Sequence, residues 1–176
     1  RLAPAAKEFA PMVAHLPRPL VAVLVGGNNG VYQLTADGTR ELAAKLKATA
    51  KKSGAGLAVT PSRRTGSENE AILRDAFADA PAVVWDGTGA NPYFGFLGLA
   101  DAVVATCDSV SMASEAAATG KPVYIIDLEG GSRKFCDFHK SLRDDGITRP
   151  FKGTLETWTY APLNDTAQVA ALVHQR

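Results

Sequence analysis

Thr106-Cys107-Asp108-Ser109-Val110-Ser111-Met112-Ala113-Ser114-Glu115-Ala116, continuing to Thr119-Gly120-Lys121-Pro122, is the stretch from which the rest of the chain can be read. It follows Ala102-Val103-Val104-Ala105, a continuous apolar run that reads as a strand buried on both faces. An alanine-rich helix comes next, and Gly120 ahead of Lys121-Pro122 stops it. A second apolar strand, Val123-Tyr124-Ile125-Ile126, follows. The polar loop therefore lies at the carboxyl end of one strand and the amino end of the next helix. In an open α/β sheet ligands collect there, because backbone N–H groups and the helix dipole converge.

Working outward, strand-length apolar runs alternate with helical patterns. Leu20–Val25 is the first strand, bounded by Pro17, Pro19 and Gly26-Gly27, and a helix from about Thr35 to Lys52 follows with Leu42, Ala43, Leu46 and Ala50 on one face. Next come a strand Gly56–Thr60, a loop Pro61–Gly66, a helix Glu68–Ala78 and a strand Pro81–Trp85. Asn91-Pro92 reads as a helix cap followed by proline at the first helical position. After the Val103 strand come a helix Ser111–Thr119, the Val123 strand and a polar helix around Arg133–Asp144. Asn164–Gln175 reads as a last amphipathic helix capped by Asn164 or Asp165, and Pro4–Val13 as a leading helix. Residues 1–14 are accordingly expected to be a linker helix from a missing N-terminal domain, and residues 15–176 one nucleotide-binding-like α/β domain.

Continuous apolar strands between helices imply a parallel sheet covered on both faces. Right-handed crossovers leave few topologies. The expected fold is a Rossmann-like, doubly wound parallel sheet of order 3-2-1-4-5, with a sixth strand admitted. Its switch point falls between the first strand and the Val103 strand. There Gly26-Gly27-Asn28-Asn29-Gly30 would meet Asp108–Glu115.

Composition narrows the partners. A chain of 176 residues with 46% apolar content supports one well-buried domain rather than two. Nineteen basic and 18 acidic side chains give a net charge of +1, which argues against a nucleic acid or an anionic membrane recognised by field. No run reaches the ~18 apolar residues of a membrane span, and no signal peptide is visible. Cys107 and Cys136 form neither a CxxC nor a metal-ligand spacing. They read as small buried hydrophobes or free thiols of a reducing compartment, which gives a cytoplasmic location with no metal and no cofactor expected.

The candidate binding residues gather on three loops. Gly26, Gly27 and Asn28 permit positive φ and close backbone approach, as a phosphate cradle requires; an ordinary strand-to-helix turn has the same needs. The loop is neither a P-loop nor a GxGxxG fingerprint. Ser62, Arg63 and Arg64 end the second strand, where arginines clamp phosphate oxygens or are simply solvated. Asp108, Ser109, Ser111 and Ser114 supply more oxygens than capping a helix needs. Met112 would cover a base or sugar face, or belong to the core. Glu115, about one turn into the helix, would accept hydrogen bonds from vicinal ribose hydroxyls. Asn91-Pro92-Tyr93 reads as structural, with a ligand contact as the alternative. His15 and His174 look peripheral, and His139 in its charged helix looks solvated rather than catalytic. No Ser/His/Asp order, HExxH or carboxylate pair stands out, so no catalytic residue is assigned.

Gly26-Gly27, Ser62-Arg63-Arg64-Thr65, Asn91-Pro92-Tyr93 and Asp108 to Pro122, in this order, resemble the bacterial relatives of the plant mitochondrial-fission "elongated mitochondria" family over about residues 15 to 130. The resemblance implies a GT-B glycosyltransferase-like fold, with this chain as the C-terminal, donor-nucleotide half. In related GT-B enzymes a helix motif like Ser111–Glu115 holds diphosphate and ribose. The implied partners are a nucleoside diphosphate or nucleotide sugar and the missing N-terminal domain of the same protein. The plant member acts by recruiting a dynamin-related protein, which keeps a non-catalytic interaction scaffold as the alternative. A nucleotide-sugar epimerase fits poorly, because none of Tyr32, Tyr93, Tyr124 or Tyr160 has lysine four residues later.

Overall fold

A computed structural model describes residues 2–163. α1 (Leu2–Val13) precedes β1 (Leu20–Val25), and β2 (Tyr32–Gln33), α2 (Ala36–Ser53), β3 (Gly56–Pro61), α3 (Ser67–Phe77) and β4 (Ala82–Val84) follow. α4 (Tyr93–Leu99) leads into β5 (Ala102–Thr106), α5 (Val110–Ala117) and β6 (Val123–Ile126). β7 (Glu129–Gly130), α6 (Arg133–Asp144) and β8 (Thr148–Pro150) come last. The helix expected over Asn164–Gln175 lies outside the described residues.

Six strands form one parallel sheet in the order β4-β3-β1-β5-β6-β8. Counted along the chain this is 3-2-1-4-5-6, the expected doubly wound order with the sixth strand present. β1 is its hinge line: Val23 pairs with Val59 of β3 on one side and Val104 of β5 on the other. Successive residues of β1 enter opposite layers, as the two-residue period of a strand demands. Ala22 and Leu24 pack with Phe96, Ala113 and Phe138. Val21, Val23 and Val25 pack with Leu42, Leu46 and Leu73. Two covered faces explain why the strand sequence is apolar throughout rather than alternating.

Local signals set the helix ends. Thr35 accepts the Gly38 N–H at 2.9 Å to start α2, and Gly54, at φ 65°, ends it in the left-handed region. Gly120, the expected stop after α5, also has positive φ, at 74°. α4 begins at Tyr93, so Pro92 and not Asn91 is its N-cap; Asn91 stands one residue earlier, and its Oδ1 accepts the Tyr93 N–H at 3.0 Å. Lys121 closes the other end of α4, donating to Leu97 O at 2.5 Å and Gly98 O at 3.0 Å.

Two features lay outside the sequence reading. α1 packs tightly on α4: a Cβ at Gly95 would come 2.6 Å from Phe9, and one at Gly98 would come 2.9 Å from Leu2 O. β2 and β7 form a small antiparallel pair joining the loops after β1 and β6. Strands of two residues leave no periodicity to read.

Candidate functional site

The switch point is built from the ends of β1, β3 and β5. Gly26 N–H donates to Thr106 Oγ1 at 2.8 Å, and the Thr106 hydroxyl donates to Asp108 Oδ1 at 2.5 Å. Asp108 Oδ2 accepts from Gly27 N–H at 3.0 Å and from Arg64 Nη2 at 2.6 Å. Asn29 Nδ2 donates to Asp108 O at 3.0 Å. The Asp108 side chain is 0% exposed and that of Arg64 is 41% exposed. A carboxylate without solvent must be paired and hydrogen-bonded, and these three donors satisfy it. The floor of the crevice is thus held shut by the protein's own groups.

The glycines serve that closure. A Cβ at Gly27 would lie 2.0 Å from Arg64 O, and one at Gly26 would lie 2.0 Å from Asp108 Oδ2. Neither adopts positive φ, so close approach is the property used, and the groups approached belong to this chain. Asn28 N–H donates to Arg64 O at 3.2 Å, and its side chain accepts the Leu34 N–H at 2.9 Å. Ser62 N–H donates to Val25 O at 2.9 Å and to Thr65 Oγ1 at 2.9 Å, which fixes the arginine turn against the end of β1. Arg63 remains exposed.

Above the floor stands the first turn of α5. Ser109 Oγ accepts the Met112 N–H at 3.1 Å and is therefore its cap. The first-turn N–H groups of Val110 and Ser111 have no intrahelical acceptor. Ser111 is exposed. Met112 is 8% exposed and packed in the core, so its thioether is spent on packing rather than turned toward a ligand. Ser114 is buried, and its hydroxyl has no hydrogen-bond partner among the described residues. Glu115 is half-buried, and its Oε1 accepts the Tyr93 hydroxyl at 2.7 Å. Ser111 and Glu115, four residues apart, share one face of the helix.

One expectation about the surroundings needs correcting. His139 is not solvated but 5% exposed, with Nε2 at 2.7 Å from Cys107 O. Burial pushes its pKa below the ordinary imidazole value, and a carbonyl oxygen can only accept, so Nε2 carries the proton. Its Nδ1 has no partner among the described residues. The signal was present: Phe135, Phe138, His139 and Leu142 recur at helical spacing and form the inward face of α6. Cys107 is buried, its thiol pushed up to about 11 by burial, and its Sγ accepts the Leu128 N–H at 3.2 Å. Cys136 is exposed.

The structure thus brings Gly26, Gly27, Asn28, Arg64 and Asp108 together through direct contacts, and ties Ser62 to them through Val25 and Thr65. It sets Ser109, Ser111, Met112 and Glu115 on one helix beside them. Three contributors had been given no role in the sequence reading: Thr106, Tyr93 as partner of Glu115, and His139. Among the described residues no group of three or more His, Cys, Asp or Glu side chains is placed to hold a metal ion. No helix among them is long and apolar enough to cross a membrane.

Comparison with known proteins bears on this geometry. The family described as Mitochondrial fission ELM1 matches over residues 1–176. The Arabidopsis thaliana mitochondrial fission protein ELM1 is 37% identical over 175 residues, covering 97% of this chain and 41% of that protein. An uncharacterised protein of Rickettsia prowazekii (strain Madrid E) is 30% identical over 177 residues, covering 96% of this chain and 49% of that protein. The chain spans less than half the length of these curated relatives.

Proposed function

This chain belongs to the mitochondrial fission ELM1 family, and from that premise we propose that the rim of its switch point binds a nucleoside diphosphate or nucleotide sugar, as the donor half of a GT-B-like protein. The first turn of α5, with Ser111 and Arg63 or Arg64, takes the diphosphate, where helix dipole and guanidinium favour negative charge. Glu115 takes the ribose hydroxyls. The observation that carries this reading is the Tyr93–Glu115 hydrogen bond at 2.7 Å. It holds a carboxylate one turn beyond the anion-favouring helix start and engages one of its two oxygens, leaving the other to accept from a sugar.

Helix terminus and arginines can stabilise a departing diphosphate without a metal. No base is assigned, because His139 donates its one ring proton to Cys107 O and lies buried beneath the loop. Titration of UDP, GDP and CDP by calorimetry tests the reading. Binding is expected at a Kd on the order of 0.1–1 mM, without turnover of any nucleotide sugar. Ribonucleotides should bind better than their 2′,3′-dideoxy counterparts, and equal binding removes the ribose assignment.

A second reading, a surface that binds another protein, is favoured by the sealed floor. Gly27 N–H and the Asp108 carboxylate are already engaged with each other, and Arg64 with Asp108. A relative named for mitochondrial fission fits it. Absence of any nucleotide response at millimolar concentration, in this chain and in a longer form of the protein, would decide for that reading.

A further inference from the structure

α4 is a helix that its own sequence supports poorly, yet its first residue fixes Glu115. Seven residues are fewer than an isolated helix needs, because nucleation costs more than so short a ladder returns. Two of the seven, Gly95 and Gly98, each cost about 1 kcal/mol against alanine in a helix interior. The shape of α4 therefore comes from what packs on it.

Two neighbours supply that support. At the carboxyl end the Lys121 ammonium donates to Leu97 O at 2.5 Å and to Gly98 O at 3.0 Å, two of the carbonyls that a helix end leaves without intrahelical partners. Along the flank α1 lies so close that side chains are excluded. A Cβ at Gly95 would come 2.6 Å from the Phe9 ring and 2.9 Å from Ala5 O, and one at Gly98 would come 3.0 Å from the Ala6 methyl. The glycines that weaken the helix are thus the ones that let α1 and α4 meet. At the amino end the Tyr93 hydroxyl donates to Glu115 Oε1 at 2.7 Å. Glu115 lies within α5 and Lys121 follows Gly120 just beyond it, so α4 is bridged to the α5 segment at both ends and backed by α1.

We infer that Phe9 and Lys121 are positioning residues for ribose recognition: by holding α4 they fix Tyr93 and, through its hydroxyl, the Glu115 carboxylate. The inference rests on the nucleotide reading and adds two residues that stand behind the rim. A carboxylate on a flexible stem recognises a pair of hydroxyls well only when its rotamer is fixed beforehand. The first turn of α5 is held separately, by its own Ser109 cap. A loosened α4 should therefore cost the ribose contact and spare the diphosphate.

UDP and 2′,3′-dideoxy-UDP are titrated by calorimetry into the unaltered chain and into Phe9→Ala, Lys121→Met and Ile72→Ala. The unaltered chain should prefer UDP about tenfold. Phe9→Ala and Lys121→Met should each cut that preference to about twofold by weakening UDP alone. Ile72→Ala truncates a part-buried residue of α3, as Phe9→Ala does on α1, and should keep the full preference. Phe9→Ala added to Glu115→Ala should change neither nucleotide further, because the carboxylate it acts through is gone. Where Phe9→Ala fails to fold, Phe9→Leu carries the same comparison. An unchanged preference in Phe9→Ala or Lys121→Met overturns that residue's assignment and leaves the nucleotide reading standing. An equal loss in Ile72→Ala, or equal weakening of both nucleotides, overturns the inference as a merely structural effect. No binding of UDP to the unaltered chain at millimolar concentration removes the nucleotide reading, and this inference with it.

Discussion

At the base of the switch point Asp108 is fully buried and takes three donors from its own chain. One turn into α5, Ser111 is exposed, and Glu115 is half-buried with a hydrogen bond from the Tyr93 hydroxyl. The two regions are neighbours in sequence and both polar, yet they stand in opposite relations to water. At the base, Asp108 closes on Gly27, Arg64 and Thr106, and the product is a fixed joint between β1, β3 and β5. At the rim, a helix start and a carboxylate are held in place but not used up. A polar motif at a strand's carboxyl end therefore divides into a part that makes the fold and a part that faces outward.

That division is most severely tested at Asp108. Asp108→Ala removes the acceptor from Gly27, Arg64 and Thr106 at once, and should cost about 3–5 kcal/mol in chemical denaturation. A loss below 1 kcal/mol would show that the joint is dispensable. Gly27→Ala comes next, since its new methyl would meet the Arg64 backbone at 2.0 Å. About 2–3 kcal/mol is expected, because backbone cannot step aside as a flexible side chain can.

The base should also respond to acid through His139. Its folded pKa lies below its ordinary value because burial disfavours the cation; Arg143 adds to this, while the Cys107 carbonyl and the Asp127 and Asp108 carboxylates oppose it. The unfolded chain therefore takes up the proton first. Stability is full above the unfolded value near 6.5 and falls as pH drops below it, by at most about 1.4 kcal/mol per pH unit. Melting curves between pH 7 and 5 should show this decline, and His139→Gln should flatten it. At the rim the expectation reverses. Glu115→Ala should change stability by less than about 0.5 kcal/mol while weakening nucleotide diphosphates about tenfold. A large stability loss there would make Glu115 part of the joint and erase the contrast.

Much of this was legible before any coordinates. The apolar runs 20–25, 56–60, 102–105 and 123–126 announced buried parallel strands, and the crossover rule then put the run 20–25 beside 102–105. The glycines at 26 and 27 were legible as positions of close approach. What they approach was not, because Arg64 and Asp108 lie far along the chain. Met112 and His139 illustrate the limit from both sides. One is an apolar residue among polar neighbours at the start of α5 and one a polar residue in a charged helix, and both are buried because the packing of α5 and α6 on the sheet decides exposure.

By itself the sequence determined what is local or periodic: the element types, the doubly wound order and the helix stop at Gly120. These depend on spacing along the chain and on backbone groups a few residues away. Only the tertiary structure decided which polar side chains were spent. Whether Asp108 meets a ligand or Arg64, and whether Glu115 finds Tyr93, depend on distances between segments far apart in the chain. Hydrogen bonds and charge pairs act over a few ångströms, so that choice is made by how the layers stack.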